Sequence, residues 1–173
     1  GIDVHDLVAN SNFEEVIYLL WHGDLPTAAQ LSTLKSELAE NRALPEPISA
    51  MMRTFPADAT PMDVLRTVVS ALGIWDPDGH DNSHEASVRK AMRLAARIPT
   101  IVTSYHRLRS GQAPVEPDDS LDSAANFLYM LHGEVPPPLV ERTFDVCLIL
   151  HVEHTVNAST FTAMVTSSTL ADP

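Results

Sequence analysis

Between residues 151 and 160 the chain places His151, Glu153, His154, Asn157, Ser159 and Thr160 directly after the apolar run Phe144-Asp145-Val146-Cys147-Leu148-Ile149-Leu150. Two imidazoles, a carboxylate and an amide at the end of an apolar helix can do three kinds of chemistry. The histidines can cap the helix, because the carbonyls of a last turn lack partners and a helix C-terminus favours positive charge. They can chelate a metal, because positions i and i+3 share one helical face. They can bind a carboxylate or a ketone carbonyl, an interaction that strengthens when imidazole is charged. Asn157 and the free amides of a following helix would then add donors. The metal reading is the weakest of the three. A zinc site takes three or four ligands, and the His-Glu-x-x-His pattern of metalloproteases is not formed. Cys147, one turn before His151, lies in the apolar run, so no metal ligands are expected. The other two readings stay open on the residues alone.

The elements that must position these residues read as helices. "SNFEEVIYLLWHG" carries a capping box, Ser11 with Glu14, and stops at Gly23. "TAAQLSTLKSELAEN" repeats the device with Thr27 and Gln30, and sets Leu31, Leu34 and Leu38 on one face. "TPMDVLRTVVSALG" has Thr60 as cap, Pro61 at the first helical position and Gly73 past the end, with Met62, Leu65, Val69 and Leu72 as its apolar stripe. From Ser83 to Gly111 the helical pattern is interrupted by Pro99, which predicts a kinked helix or two helices end to end. "DSLDSAANFLYMLHG" and "PPLVERTFDVCLILH" are two more helices, and "NASTFTAMVTSSTLAD" is another, capped by Asn157. "VCLIL" is apolar on every side and is expected to be buried all round. No period-two alternation with hairpin turns occurs, and no internal repeat is evident. The fold class is all-α, a packed helical bundle.

Composition narrows the partners. The net charge is −12, from 11 basic and 23 acidic residues, which argues against nucleic acid and anionic membrane surfaces. With no basic cluster read from the sequence, a polyanionic ligand is not expected to bind through this segment. The single cysteine, Cys147, excludes a disulfide framework. It reads as a small core hydrophobe and fits cytoplasmic residence. No apolar run approaches the length of a membrane span.

The stretch "LHVEHTVNASTFTA" resembles the segment of citrate synthases that reads Leu-His-Ala-(Glu/Asp)-His, two further residues, then Asn-Ala-Ser-Thr. "GIDVHDLVANSNFEEVIYLLWHGDLPT", "PMDVLRTVVSALG", "IPTIVTSYHRLRSG" and "SAANFLYML" are similar to other segments of that family, in the same order. The resemblance implies that residues 1–173 form an incomplete large helical domain, with the small domain and the C-terminal part of the large domain beyond it. It implies that His154 contacts oxaloacetate, with Asn157 and His151 supporting the pocket. It also implies that the enolising histidine, the catalytic aspartate and the carboxylate-gripping arginines lie outside the chain, which would then hold no catalytic residue and be inactive alone. The expected partners are oxaloacetate and acetyl-CoA, the latter bound mainly elsewhere, and a second copy in a homodimer; no resident cofactor is expected. Helices 61–73 and 83–110 look apolar on more than one face, as interface helices do. The family often has Gly-Phe where this chain has Thr155-Val156. Glycine permits a left-handed turn that β-branched residues resist, so either the turn differs or the member is divergent. Two alternatives stand beside a citrate synthase. One is a 2-methylcitrate synthase, taking propionyl-CoA; the other is a catalytically silent helical interaction module.

Overall fold

The computed structural model describes residues 1–152 and 158–169, apart from the side chain of Ser167. The elements are α1 (Val4–Asn10), α2 (Phe13–His22), α3 (Ala28–Glu40), α4 (Glu46–Met52), α5 (Pro61–Leu72), a 3-10 turn (Gly73–Trp75), α6 (His84–Arg109), α7 (Ser123–His132), α8 (Pro138–Val152) and α9 (Ala158–Ser168). Among the described residues there is no strand. The short helices α1 and α4 carry too few turns for periodicity to reveal them.

α6 is the central element and packs against α3, α5 and α7. Its N-terminal half lays Met92 and Ala96 on Ile17, Leu34 and Leu38 from α2 and α3. Its C-terminal half lays Ile101 and Tyr105 on Ile48, Met52, Val64, Val68 and Leu72 from α4 and α5. Pro99 sits between these two clusters, yet the helix runs unbroken for 26 residues. Of the two expected outcomes, a kinked helix or two helices end to end, the division into two therefore does not occur. A proline inside a helix costs about 3 kcal/mol, whereas each large apolar side chain buried on either side contributes roughly 1.5–3 kcal/mol. Packing on both sides outweighs the lost backbone bond. The Tyr105 hydroxyl, 2.9 Å from the Ala59 carbonyl, ties the second cluster to the α4–α5 connection.

Several local expectations shift by one residue, for tertiary reasons. The box that opens α2 is Asn12 with Glu15, not Ser11 with Glu14. The Ser11 amide is already spent closing α1 on the Leu7 carbonyl. The Phe13 amide is capped from across the fold by Asp145 Oδ1 at 2.9 Å. In α5 the buried stripe is Val64, Val68 and Leu72; Leu65 and Val69 flank it, and Met62 is 67% exposed. The outward side of α5 carries Asp63, Arg66, Thr67 and Ser70, so that helix is apolar on one face. Gly73 does not stop α5 in a left-handed turn: its φ is −59°, and the chain continues into the 3-10 turn. Gly23 and Gly133 do end α2 and α7 that way, with φ of +87° and +86°. The Thr27–Gln30 box of α3 forms as expected.

The polar loop after residue 75 is ordered by ion pairs. Arg93 grips Asp76 with Nε at 2.9 Å and Nη2 at 2.7 Å, and reaches Asp78 at 2.7 Å. Arg89 grips Asp78 in turn with two nitrogens. Burial by itself would raise the Asp76 carboxyl, but the hydrogen bonds from Arg93 and from the Asp78 amide pull it below its ordinary value. Hydrogen bonds from Arg89 and then Arg93 pull Asp78 down as well.

Candidate functional site at the end of α8

α8 starts at a proline, whose fixed φ suits a first turn, and the Pro137 carbonyl accepts the amides of Val140 and Glu141. Only Asp145 and Ile149 of this helix are fully buried. They lie one turn apart on the face that meets α1, α2 and α7. Phe144 stacks on Phe127 of α7 with centroids 5.0 Å apart. Asp145 accepts the Phe13 amide through Oδ1 and Arg142 Nη1 through Oδ2 at 2.5 Å. Arg142 also donates to the carbonyls of Ser11 and Val8. A buried carboxylate shared between a helix start and a guanidinium is well satisfied, so the root of α8 is fixed to α1 and α2.

Along its outer side the helix is open to solvent from its first turn to its last. Leu139, Val140, Cys147 and Leu150 are exposed, with Leu139 at 78%. "VCLIL" is therefore not buried all round, and Cys147 is not a core residue. The reason is angular: positions 145 and 149 define the buried face, and 147 is two residues from each, on the opposite side of a 3.6-residue turn.

His151 is exposed in the last turn, with Nδ1 2.7 Å from the Cys147 carbonyl. A carbonyl only accepts, so Nδ1 must carry the hydrogen in this bond. Nε2 is an acceptor in the neutral ring and a second donor in the charged one. The bond to Cys147 is a capping arrangement for the last turn of α8. His154 and Asn157 lie outside the described residues, so of the three expected site residues only His151 is placed. Beyond them, α9 presents Phe161, Met164 and Val165 to solvent.

The sequence reading passed over one cluster. Arg89, Lys90, Arg93 and Arg97 all stand on the first half of α6, on the side of the 76–82 loop, so the chain does hold a basic cluster despite its net charge. The signal was present as cations at i, i+1, i+4 and i+8, a spacing that one helical face gathers. Among the described residues, no group of three or more His, Cys, Asp or Glu is arranged to hold a metal, and no helix is long and apolar enough to cross a membrane.

An all-helical domain with these crossings is also the fold of solved citrate synthases. That from Pyrobaculum aerophilum superimposes with a TM-score of 0.92 at 38% identity, over 98% of this chain and 44% of that one. That from Thermotoga maritima superimposes with a TM-score of 0.86 at 35% identity, over 99% and 44%. The family model described as "Citrate synthase, C-terminal domain" matches residues 1–173. The chain belongs to the citrate synthase family. It is 47% identical to the citrate synthase of Haloferax volcanii, over 99% of this chain and 46% of that protein. It is 43% identical to the 2-methylcitrate synthase of Shewanella oneidensis, over 99% and 45%. The chain thus spans about half the length of the curated relatives it matches.

Proposed function

We propose that this chain is part of a citrate synthase that condenses acetyl-CoA with oxaloacetate and hydrolyses the resulting thioester to citrate and CoA. The observation that carries this reading is the family match along the whole chain, with a relative of that name at 47% identity. On this reading the end of α8 forms one wall of the oxaloacetate pocket. His154 meets the substrate's carboxylate or carbonyl, with Asn157 and His151 in support. The chemistry suits those residue types. A carboxylate base elsewhere in the protein removes a methyl proton from the acyl group, and the enol attacks the ketone of oxaloacetate. An imidazole donor on that ketone oxygen stabilises the charge that develops there. The nucleophile is made by proton transfer and the electrophile is polarised by donors, so no resident cofactor is needed. The exposed outer face of α8 suits a surface covered by the rest of the protein or by a second copy.

A second reading is a 2-methylcitrate synthase, favoured by the 43% identity to the Shewanella enzyme, close to the values for the citrate synthases. The third is a helical module without activity. One experiment separates all three: release of CoA thiol by the intact protein, with oxaloacetate and either acetyl-CoA or propionyl-CoA. A higher kcat/KM for acetyl-CoA is expected. Preference for propionyl-CoA gives the second reading, and no turnover with either gives the third.

A further inference from the structure

α8 is 15 residues long, yet only Asp145 and Ile149 on it are fully buried. Ile149 holds its place by apolar contact, which has no preferred direction and tolerates a helix turning in its seat. Asp145 holds its place differently. Its Oδ1 accepts the amide of Phe13, the first residue of α2, at 2.9 Å, and its Oδ2 accepts Arg142 Nη1 at 2.5 Å. Arg142 in turn donates to the Ser11 carbonyl at 3.0 Å and to the Val8 carbonyl, at the C-terminal end of α1. The stack of Phe144 on Phe127 secures the α7 side. On the α1–α2 side, one carboxylate that is 7% exposed ties α8 directly to α2 and, through Arg142, to α1. Hydrogen bonds are directional, so these fix both the rotation of α8 about its axis and its position along it.

A carboxylate is a costly choice for such a place. Burying a charge loses hydration, and an apolar residue of similar size could fill the same seat without that cost. What the apolar residue could not supply is orientation. Orientation matters because α8 carries His151 in its last turn, and His154 and Asn157 follow it in the sequence. His151 comes six residues after Asp145, roughly 9 Å along the helix. Turning α8 by about 10–20° would move a side-chain atom roughly 6 Å from its axis by about 1–2 Å. Groups that bind a reacting substrate must be held within about 0.5 Å, and a displacement of about 1 Å can cost roughly a hundredfold in rate.

We infer that Asp145 is a positioning residue for the oxaloacetate pocket, acting through the seating of α8 on α1 and α2. The inference rests on the proposed function, and it is the same for either acyl-CoA because oxaloacetate is the substrate in both cases. Both carboxylate oxygens are taken by the protein, so Asp145 itself makes no contact with substrate. Oxaloacetate binding to the intact protein is measured by calorimetry, alongside KM for oxaloacetate and for acetyl-CoA. Asp145→Ala should weaken oxaloacetate binding and raise its KM about tenfold or more, with KM for acetyl-CoA changed less than about twofold. Asp145→Asn, which keeps an acceptor for the Phe13 amide, should recover part of the loss. Arg142→Met, at a half-exposed side chain, supplies a second variant with the same direction of effect should Asp145→Ala fail to fold. Ile48→Ala, in the cluster between α4, α5 and α6, is the control: it should lower the thermal midpoint and leave oxaloacetate binding unchanged. A parent protein that does not bind oxaloacetate would overturn the proposed function, and the inference with it. A parent that binds it, with folded Asp145 and Arg142 variants of unchanged affinity, overturns the inference alone. Equal loss of affinity in Ile48→Ala also overturns it, because the effect would then be one of general stability.

Discussion

Glu14 stands on α2, but its carboxylate accepts the amide of Ser123 at 2.7 Å, at the start of α7. Asp122, at the cap position of α7, makes no side-chain cap bond, so Glu14 supplies the cap from another helix. It is 2% exposed, and removing it leaves an amide unsatisfied in a water-poor place. Glu14→Ala is expected to cost roughly 1–3 kcal/mol in urea unfolding of the intact protein. Glu14→Gln, which keeps an acceptor oxygen, should cost less; equal losses would mean that the charge and not the hydrogen bond matters. The residue-scale expectation for the site concerns His154. In the intact protein, His154→Ala should weaken oxaloacetate binding about ten- to a hundredfold, the range for loss of a charged hydrogen bond. Calorimetric titration paired with a thermal melt distinguishes this from misfolding. A properly folded variant of unchanged affinity would move the contact to His151 or to another residue.

At the scale of elements, two helix ends share a pattern: Trp21-His22-Gly23-Asp24-Leu25-Pro26 closes α2 and Leu131-His132-Gly133-Glu134-Val135-Pro136 closes α7. Both glycines have φ near +87°, and both bond back to a carbonyl four residues earlier. An added Cβ at Gly23 would meet nothing within 4 Å, and at Gly133 only Arg107 Nη1 at 3.7 Å. The cost of alanine there is thus conformational, about 1–2 kcal/mol. Gly73 also follows a helix, but its φ of −59° suits any residue, and the space beside it is open. Gly73→Ala should therefore be stabilising by about 0.4–1 kcal/mol, while Gly23→Ala and Gly133→Ala destabilise. Chemical denaturation of the three variants checks the sign; a loss at Gly73 equal to the other two would contradict the geometry.

At the scale of the molecule, the acid response should follow the ion-paired loops. Asp76, Asp78, Asp81 and Asp118 are all held below the ordinary carboxylate value of 3.8. A carboxylate with a lower pKa folded than unfolded adds stability above its unfolded value, and that contribution is lost as pH falls towards the folded one. The thermal midpoint of the intact protein should therefore drop below about pH 4. Asp78→Asn should lower the midpoint at neutral pH and flatten the acid slope. A slope identical to the parent's would show that other carboxylates govern the acid transition. Residues 1–173 taken alone are expected to self-associate, because Leu139, Met62, Ile74, Phe161 and Met164 are more than half exposed. Light scattering from a monodisperse 18.9 kDa monomer would refute this.

What the sequence by itself determined lies within about one helical turn of each residue concerned. The all-α class, the Thr27–Gln30 box and the stops at Gly23 and Gly133 depend on groups at most four positions apart. The order of the family-like segments carried the resemblance, which the comparisons bore out. Everything decided by contacts across the chain was beyond it. Asp145 and Glu14 cap helices more than 100 residues away, so the one-residue shift at α2 is invisible locally. The course of α6 through Pro99 rests on clusters drawn from α2, α3, α4 and α5. Which side of α8 faces inward, and hence whether Cys147 is core or surface, depends on where α1, α2 and α7 sit. The pairing of Asp76 and Asp78 with Arg89 and Arg93 exists only once the loop has folded over α6, because charge compensation is a property of distance in space and not along the chain.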